Sequence, residues 1–126
     1  MKRVWFGAGL LIVLLAVSLL VTWGMDRIHT PIAADLQQAA ASAELGDWPS
    51  AEIYSQRAEQ SWKKWEHFRA CFADHTPTEE VSAELAAMNT ARQEQETADF
   101  AASCARAAKM VQAVGDAHAL RWWNLL

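Results

Sequence analysis

The two cysteines, Cys71 and Cys104, are the side chains best suited to covalent chemistry in this chain. In an oxidising compartment they could join as a disulfide. The alternative is a pair of buried thiols acting as small hydrophobes. Cys71 stands four residues before His75, with Asp74 beside it, so a helix reaching that far would put thiolate and imidazole on one face. Such a pair is half of a zinc or other transition-metal site. No second C-x-x-C or H-x-x-x-H pair completes it, and a tetrahedral centre would need His67, His118 or Cys104 to converge through folding. As nucleophile and base, Cys71 and His75 lack a third group to orient them.

Other chemistry finds less support. The chain carries no G-x-S-x-G, no Gly-rich phosphate loop and no H-E-x-x-H, the spacings that position a serine nucleophile, a phosphate or a catalytic zinc. Its carboxylates follow what would be the solvent face of each helix, as surface charges do. The expectation is a protein that is not an enzyme and has no cofactor, no catalytic residues and no assigned metal site. After Arg27 come 14 acidic and 8 basic side chains, a net charge of −6. That balance excludes nucleic acid as a partner, because phosphates need Lys and Arg to neutralise them.

The elements that would position these residues begin with an anchor. Val4 to Trp23 is a run of 20 residues without a charge, long enough as a helix to cross a hydrocarbon core of about 30 Å. Trp5 and Trp23 sit at its ends, where indoles suit the membrane interface, and Lys2 and Arg3 precede it. The positive-inside rule then keeps the N-terminus in the cytoplasm and exports the rest. A cleaved signal peptide is the rival, but its best cleavage site, Thr22-Trp23-Gly24, matches A-x-A poorly. No Cys directly follows the run, which excludes a lipoprotein anchor. The chain thus divides into 1–27, a cytoplasmic stub and transmembrane anchor, and 28–126, an extracytoplasmic helical domain at the cell membrane.

That domain reads as all-α. Ala, Glu, Gln and Leu dominate, and Gly, Pro and β-branched residues are sparse, so propensity favours helix at nearly every step. Thr30-Pro31 offers a cap and a first-turn proline for a helix along Ile28, Ile32, Leu36, Ala40 and Ala43. Gly46-Asp47 stops it, and Asp47 caps a second helix from about Pro49 to Ala73. Its stripe is heavy: Ala51, Tyr54, Ala58, Trp62, Trp65, Phe68 and Phe72. Thr76, Pro77 and Glu79 form a capping box for a third helix along Val81, Leu85, Met88 and Arg92. The run from Arg92 to Thr97 has no Gly or Pro, yet a turn is expected there, with Thr97 as cap and Asp99 in the first turn. A last helix follows Phe100, Cys104, Ala107, Val111 and Val114, a seam spacing, and Gly115-Asp116 ends or kinks it. The sum is an N-terminal transmembrane helix followed by a small antiparallel bundle of three to four helices.

Seven tryptophans in 126 residues are an excess. Some fill the core, and others suit a docking patch. Adjacent Trp122 and Trp123 cannot both face inward on one helix, so Trp122, Trp123 and Leu126 are the expected interface with a protein partner, another copy or the bilayer surface.

Taken together, the Lys2-Arg3 start, the single anchor, the stretch ending Gly46-Asp47-Trp48-x-x-Ala51, the Trp-bearing helix, the His75 loop before Glu79-Glu80 and the close Leu120-x-x-x-Asn124-Leu125-Leu126 give a layout that resembles a known family. It is similar to the domain of unknown function 4363, small single-pass membrane proteins of Firmicutes. The resemblance spans nearly the whole chain through short motifs, and Thr76-Pro77-Thr78 departs from the pattern. It implies a membrane-anchored helical protein and brings no activity, cofactor or catalytic residues.

The expected function is therefore an interaction or accessory module at the outer face of the cytoplasmic membrane. It would be held to the lipid bilayer through residues 4–23 and engage a membrane or envelope protein. The alternative is a ligand- or metal-binding bundle of the sensor type, with Cys71, His75 and Cys104 as its inner residues.

Overall fold

A single unbroken helix, α1 (Lys2–Glu44), contains both the apolar run and the first wall of the core. The computed structural model describes the backbone of residues 1–67 and 75–123, and the side chains of 1–67 and 77–116. At 43 residues, α1 spans about 65 Å. Its N-terminal part is long and apolar enough to cross a membrane, and no residue of its most apolar stretch is fully buried. Further along, Met25, His29, Ile32, Ala33, Leu36, Ala39 and Ala43 form one buried stripe.

The helix does not restart at Thr30-Pro31, as the sequence suggests; Pro31 lies inside it. Proline cannot donate to the Arg27 carbonyl, which normally breaks a helix. Here Arg27, Thr30 and Pro31 are exposed, so water can serve that carbonyl. The residues on the opposite face, Ile28, His29, Ile32 and Ala33, are pinned against the other helices. Tertiary packing overrides the local signal.

α1 ends as expected at Gly46, whose φ is +77°. Gly46 N–H donates to Ala43 O at 3.0 Å and Asp47 N–H to Ser42 O at 2.9 Å, the two bonds of a Schellman cap. Asp47 then caps α2 (Trp48–Lys64), its Oδ1 accepting from Ser50 N–H at 3.3 Å. α2 buries Ala51, Ser55, Ala58 and Trp62, one face at helical spacing. It stops at Lys64, with Lys63 and Lys64 in the last turn, where positive charge suits the helix dipole. A turn at Trp65 interrupts the helix expected to reach Ala73, Glu66 and His67 are helical again, and the rest of that stretch lies outside the described residues. Tyr54 and Trp65 are only half-buried. Phe68, Cys71 and Phe72 lie outside the described residues.

α3 (His75–Glu94) begins one residue before the expected cap, so Thr76 and Pro77 fall in its first turn. Val81, Leu85, Met88 and Ala91 are its buried face. The expected turn before α4 (Thr97–Trp123) is present. Gln95 takes φ +53°, and Gln95 and Glu96 N–H donate to Arg92 and Ala91 carbonyls at 3.1 and 3.0 Å. This is a second Schellman cap, made without glycine. Thr97 opens α4 rather than capping it, with Asp99 in the first turn. The α4 seam is the expected one: Phe100, Cys104, Ala107, Val111 and Val114, joined by Ser103 and Ala108, are buried. Gly115-Asp116 does not end α4, which runs on to Trp123.

α1 packs between α2 and α4, and α3 packs on α4. Alanines at the contacts (Ala33, Ala39 and Ala43 on α1, Ala51 and Ala58 on α2, Ala107 and Ala108 on α4) are all buried and let the backbones approach closely. At the end far from the apolar run, the Trp48 and Phe100 rings meet at 5.4 Å between centroids. At the near end, a Cβ on Gly115 would touch the His29 side chain at 3.5 Å. α1 and α4 are thus antiparallel.

Candidate functional site

Two places in the bundle gather polar side chains. One is the seam between α2 and α3, which approach each other less closely than the other neighbouring helices. Three contacts bridge it: Arg92 Nη1 to Ser55 Oγ at 3.0 Å, Asn89 Nδ2 to Glu59 Oε2 at 2.9 Å, and Trp62 Nε1 to Ser82 Oγ at 3.3 Å. Ser55 and Trp62 belong to the buried face of α2, and Arg92 is half-buried at the end of the Val81, Leu85 and Met88 stripe, which is why the sequence pattern placed Arg92 with the core. Lys63 Nζ adds an ion pair to Glu59 at 3.0 Å. Burial alone would raise the Glu59 pKa, but hydrogen bonds from Asn89 and Lys63 and the charges of Lys63 and Arg92 outweigh it and hold it below the usual value. Asn89 Oδ1 is buried with no donor among the described residues. This seam is a structural lock that holds α2 to α3.

The second place lies at the near end, between α1 and α4. Asp26, His29, Thr30, Gln112, Gly115 and Asp116 line a cleft of about 240 Å³ open to solvent. His29 forms its floor, 2% exposed. Its Nδ1 lies 2.8 Å from Met25 O, and its ring stands edge-on to Trp62 at 6.2 Å. The sequence reading considered His67, His75 and His118 as histidine ligands and passed over His29. The signal was there: His29 falls four residues after Met25 and three before Ile32, on the buried stripe. Lying on α1 against Trp62 of α2 and Gly115 of α4, it is a packing residue that closes the near end of the core.

The expected site residues do not assemble into a centre. Cys104 is fully buried, and burial pushes its thiol up to about 12, against a smaller opposing effect of Arg92. It is therefore a protonated, inert thiol at neutral pH. Its candidate partner Cys71 lies outside the described residues, as do the side chains of His75 and His118. Among the described residues, no three His, Cys, Asp or Glu side chains converge as a metal would require. His67 is exposed. Trp122 and Trp123 lie on the last turn of α4, but their side chains, and Leu126 altogether, lie outside the description.

Two ion pairs fix register on the outside. Arg57 grips Asp35 with two hydrogen bonds, Nε to Oδ2 at 2.8 Å, and this raises the Arg57 pKa through the hydrogen bond and then the charge of Asp35. Arg106 pairs with Glu84 at 2.9 Å. In both the arginine is exposed and its carboxylate partner partly covered, and such surface pairs add orientation more than stability.

An apolar N-terminal helix that could cross a membrane, continuous with a helical bundle held by alanine-rich contacts and a polar seam, defines an all-α protein. Residues 23–125 match the family described as domain of unknown function 4363, and the chain belongs to that family. No curated protein and no solved structure matches the chain.

Proposed function

We propose that the protein is a membrane-anchored helical module, without catalytic activity, that works at the outer face of the cytoplasmic membrane by engaging a membrane or envelope protein. One observation carries this reading: the helix holding the uncharged 4–23 run continues without a break into the bundle, where it supplies Met25 to Ala43 of the core. Cleavage near Trp23 would cut inside that helix, two residues before buried Met25, which supports an uncleaved anchor. Lys2 and Arg3 before the run favour a cytoplasmic N-terminus. Tethering places the bundle at high effective concentration beside other membrane proteins, so a modest interface suffices. The end of the bundle next to the membrane, where α4 carries Trp122 and Trp123, is the surface such a neighbour or the bilayer meets first.

Two experiments test the reading. Alkaline extraction of membranes should leave the full-length chain in the pellet; a soluble chain starting at Met25 would overturn the anchor. Crosslinking in intact cells, followed by mass spectrometry, should capture one dominant membrane or envelope protein, and capture starting from that protein should return this chain. Self-crosslinks alone would count against the partner.

A further inference from the structure

We propose that the last turn of α4, at Trp122 and Trp123, enters the interfacial layer of the bilayer beside α1, so that two helices rather than one hold the domain to lipid. The inference rests on the reading of residues 4–23 as an anchor.

The register between α1 and α4 sets the level. His29 abuts Gly115, and Asp26 and Thr30 share a cleft with Asp116 and Gln112, so the helices run antiparallel in a defined alignment. From His29 to Trp23 is six residues toward the membrane along α1, and from Gly115 to Trp122 is seven along α4. At 1.5 Å per residue these are roughly 9 and 10 Å. The last turn of α4 therefore reaches the height of Trp23, the outer end of the apolar run. A second observation agrees. Below Met25 the covered face of α1 continues through Thr22, Val21 and Ser18, which are half-buried while Leu19, Leu20 and Trp23 are exposed. The face of α1 that α4 covers above is thus the one that stays partly covered at that level.

The chemistry of the segment suits lipid. Residues 117–126 contain no acidic side chain in a domain that is otherwise acidic, and their one charged side chain at neutral pH is Arg121, beside the tryptophan pair. Indoles prefer the headgroup layer, where the ring is shielded and the N–H stays wet, and an arginine at that depth can reach anionic headgroups.

The test uses the full chain in phosphatidylcholine nanodiscs, with and without lipid brominated near the headgroup end of the acyl chains. Bromine quenches nearby indole emission. The emission lost in W122F/W123F isolates these two indoles, and that lost in W23F gives a ruler for the anchor's outer end. The expected result is equal fractional quenching of the two difference signals, with the helical circular-dichroism signal unchanged in either variant. Quenching of the Trp23 signal without quenching of the Trp122/Trp123 signal overturns the proposal and leaves the anchor standing, as it would if these indoles are kept for a protein. Absence of quenching from both overturns the anchor as well.

Discussion

Replacing Pro31 by alanine should stabilise the protein, against the usual direction of core-helix substitutions. Pro31 lies inside α1, where its ring replaces an N–H that would bond the Arg27 carbonyl. In a helix interior, proline is about 3 kcal/mol less favourable than alanine. Part of that is returned in the unfolded chain, which proline stiffens by about 0.4–1 kcal/mol. Water at the exposed Arg27 carbonyl reduces the difference a little further, leaving a net gain of about 1–2 kcal/mol. For a domain of this size, 1 kcal/mol moves Tm by about 4–8 °C, so the variant should melt roughly 5–15 °C higher. The measurement is a thermal melt of the full chain in detergent micelles, followed at 222 nm. A Tm that is unchanged or lower refutes the reasoning. It would mean that α1 breaks at Thr30 and that Pro31 serves as a favourable first-turn residue, the arrangement its sequence context suggests.

Three further outcomes follow from particular contacts. Gln95→Gly should stabilise by about 0.5–1 kcal/mol, because φ +53° strains any side chain except glycine's hydrogen; a lower urea midpoint would contradict it. Cys104 should resist iodoacetamide at pH 8 in the folded protein and label only as fast as the domain unfolds, because its thiol titrates at about 12; rapid native labelling at the Cys104 peptide would count against the burial described. Glu59 titrates below its ordinary value in the fold, so its ionised form stabilises the protein above that ordinary value. The contribution is lost as the pH falls through the folded pKa. The stability difference between wild type and Glu59→Gln should accordingly be largest near neutrality and vanish in acid, and a difference that grows on acidification would contradict the seam geometry.

The stripes were legible in the sequence because burial leaves a period. Leu36, Ala43, Ala58, Val81, Met88, Phe100 and Val111 all lie where the 3.6-residue spacing puts them, and the Gly46-Asp47 punctuation ends and caps the flanking helices as read. Breaks were less legible, in both directions. Thr30-Pro31 carries a strong local start signal that packing on the opposite face overrules. The turn at Gln95-Glu96 carries almost no signal, since a glutamine holds the left-handed position that glycine usually marks. The polar bridges were legible as residues but not as pairs: Ser55 and Arg92, or Glu59 and Asn89, are joined by tertiary register, which no local window contains. His29 escaped notice because a histidine on an apolar stripe adjoining a membrane run looks like the edge of the anchor rather than the floor of a bundle.

The continuity of α1 has a consequence for how the domain faces its surroundings. Because one helix serves both the apolar run and the core, the two are geared together like a shaft and its wheel. Each residue inserted or removed between Trp23 and Met25 turns the whole bundle by about 100° around the shaft and moves it by about 1.5 Å. The bearing of the domain is thus set in discrete steps by chain length, and a seven-residue insertion nearly restores the bearing while lifting the bundle by about 10 Å.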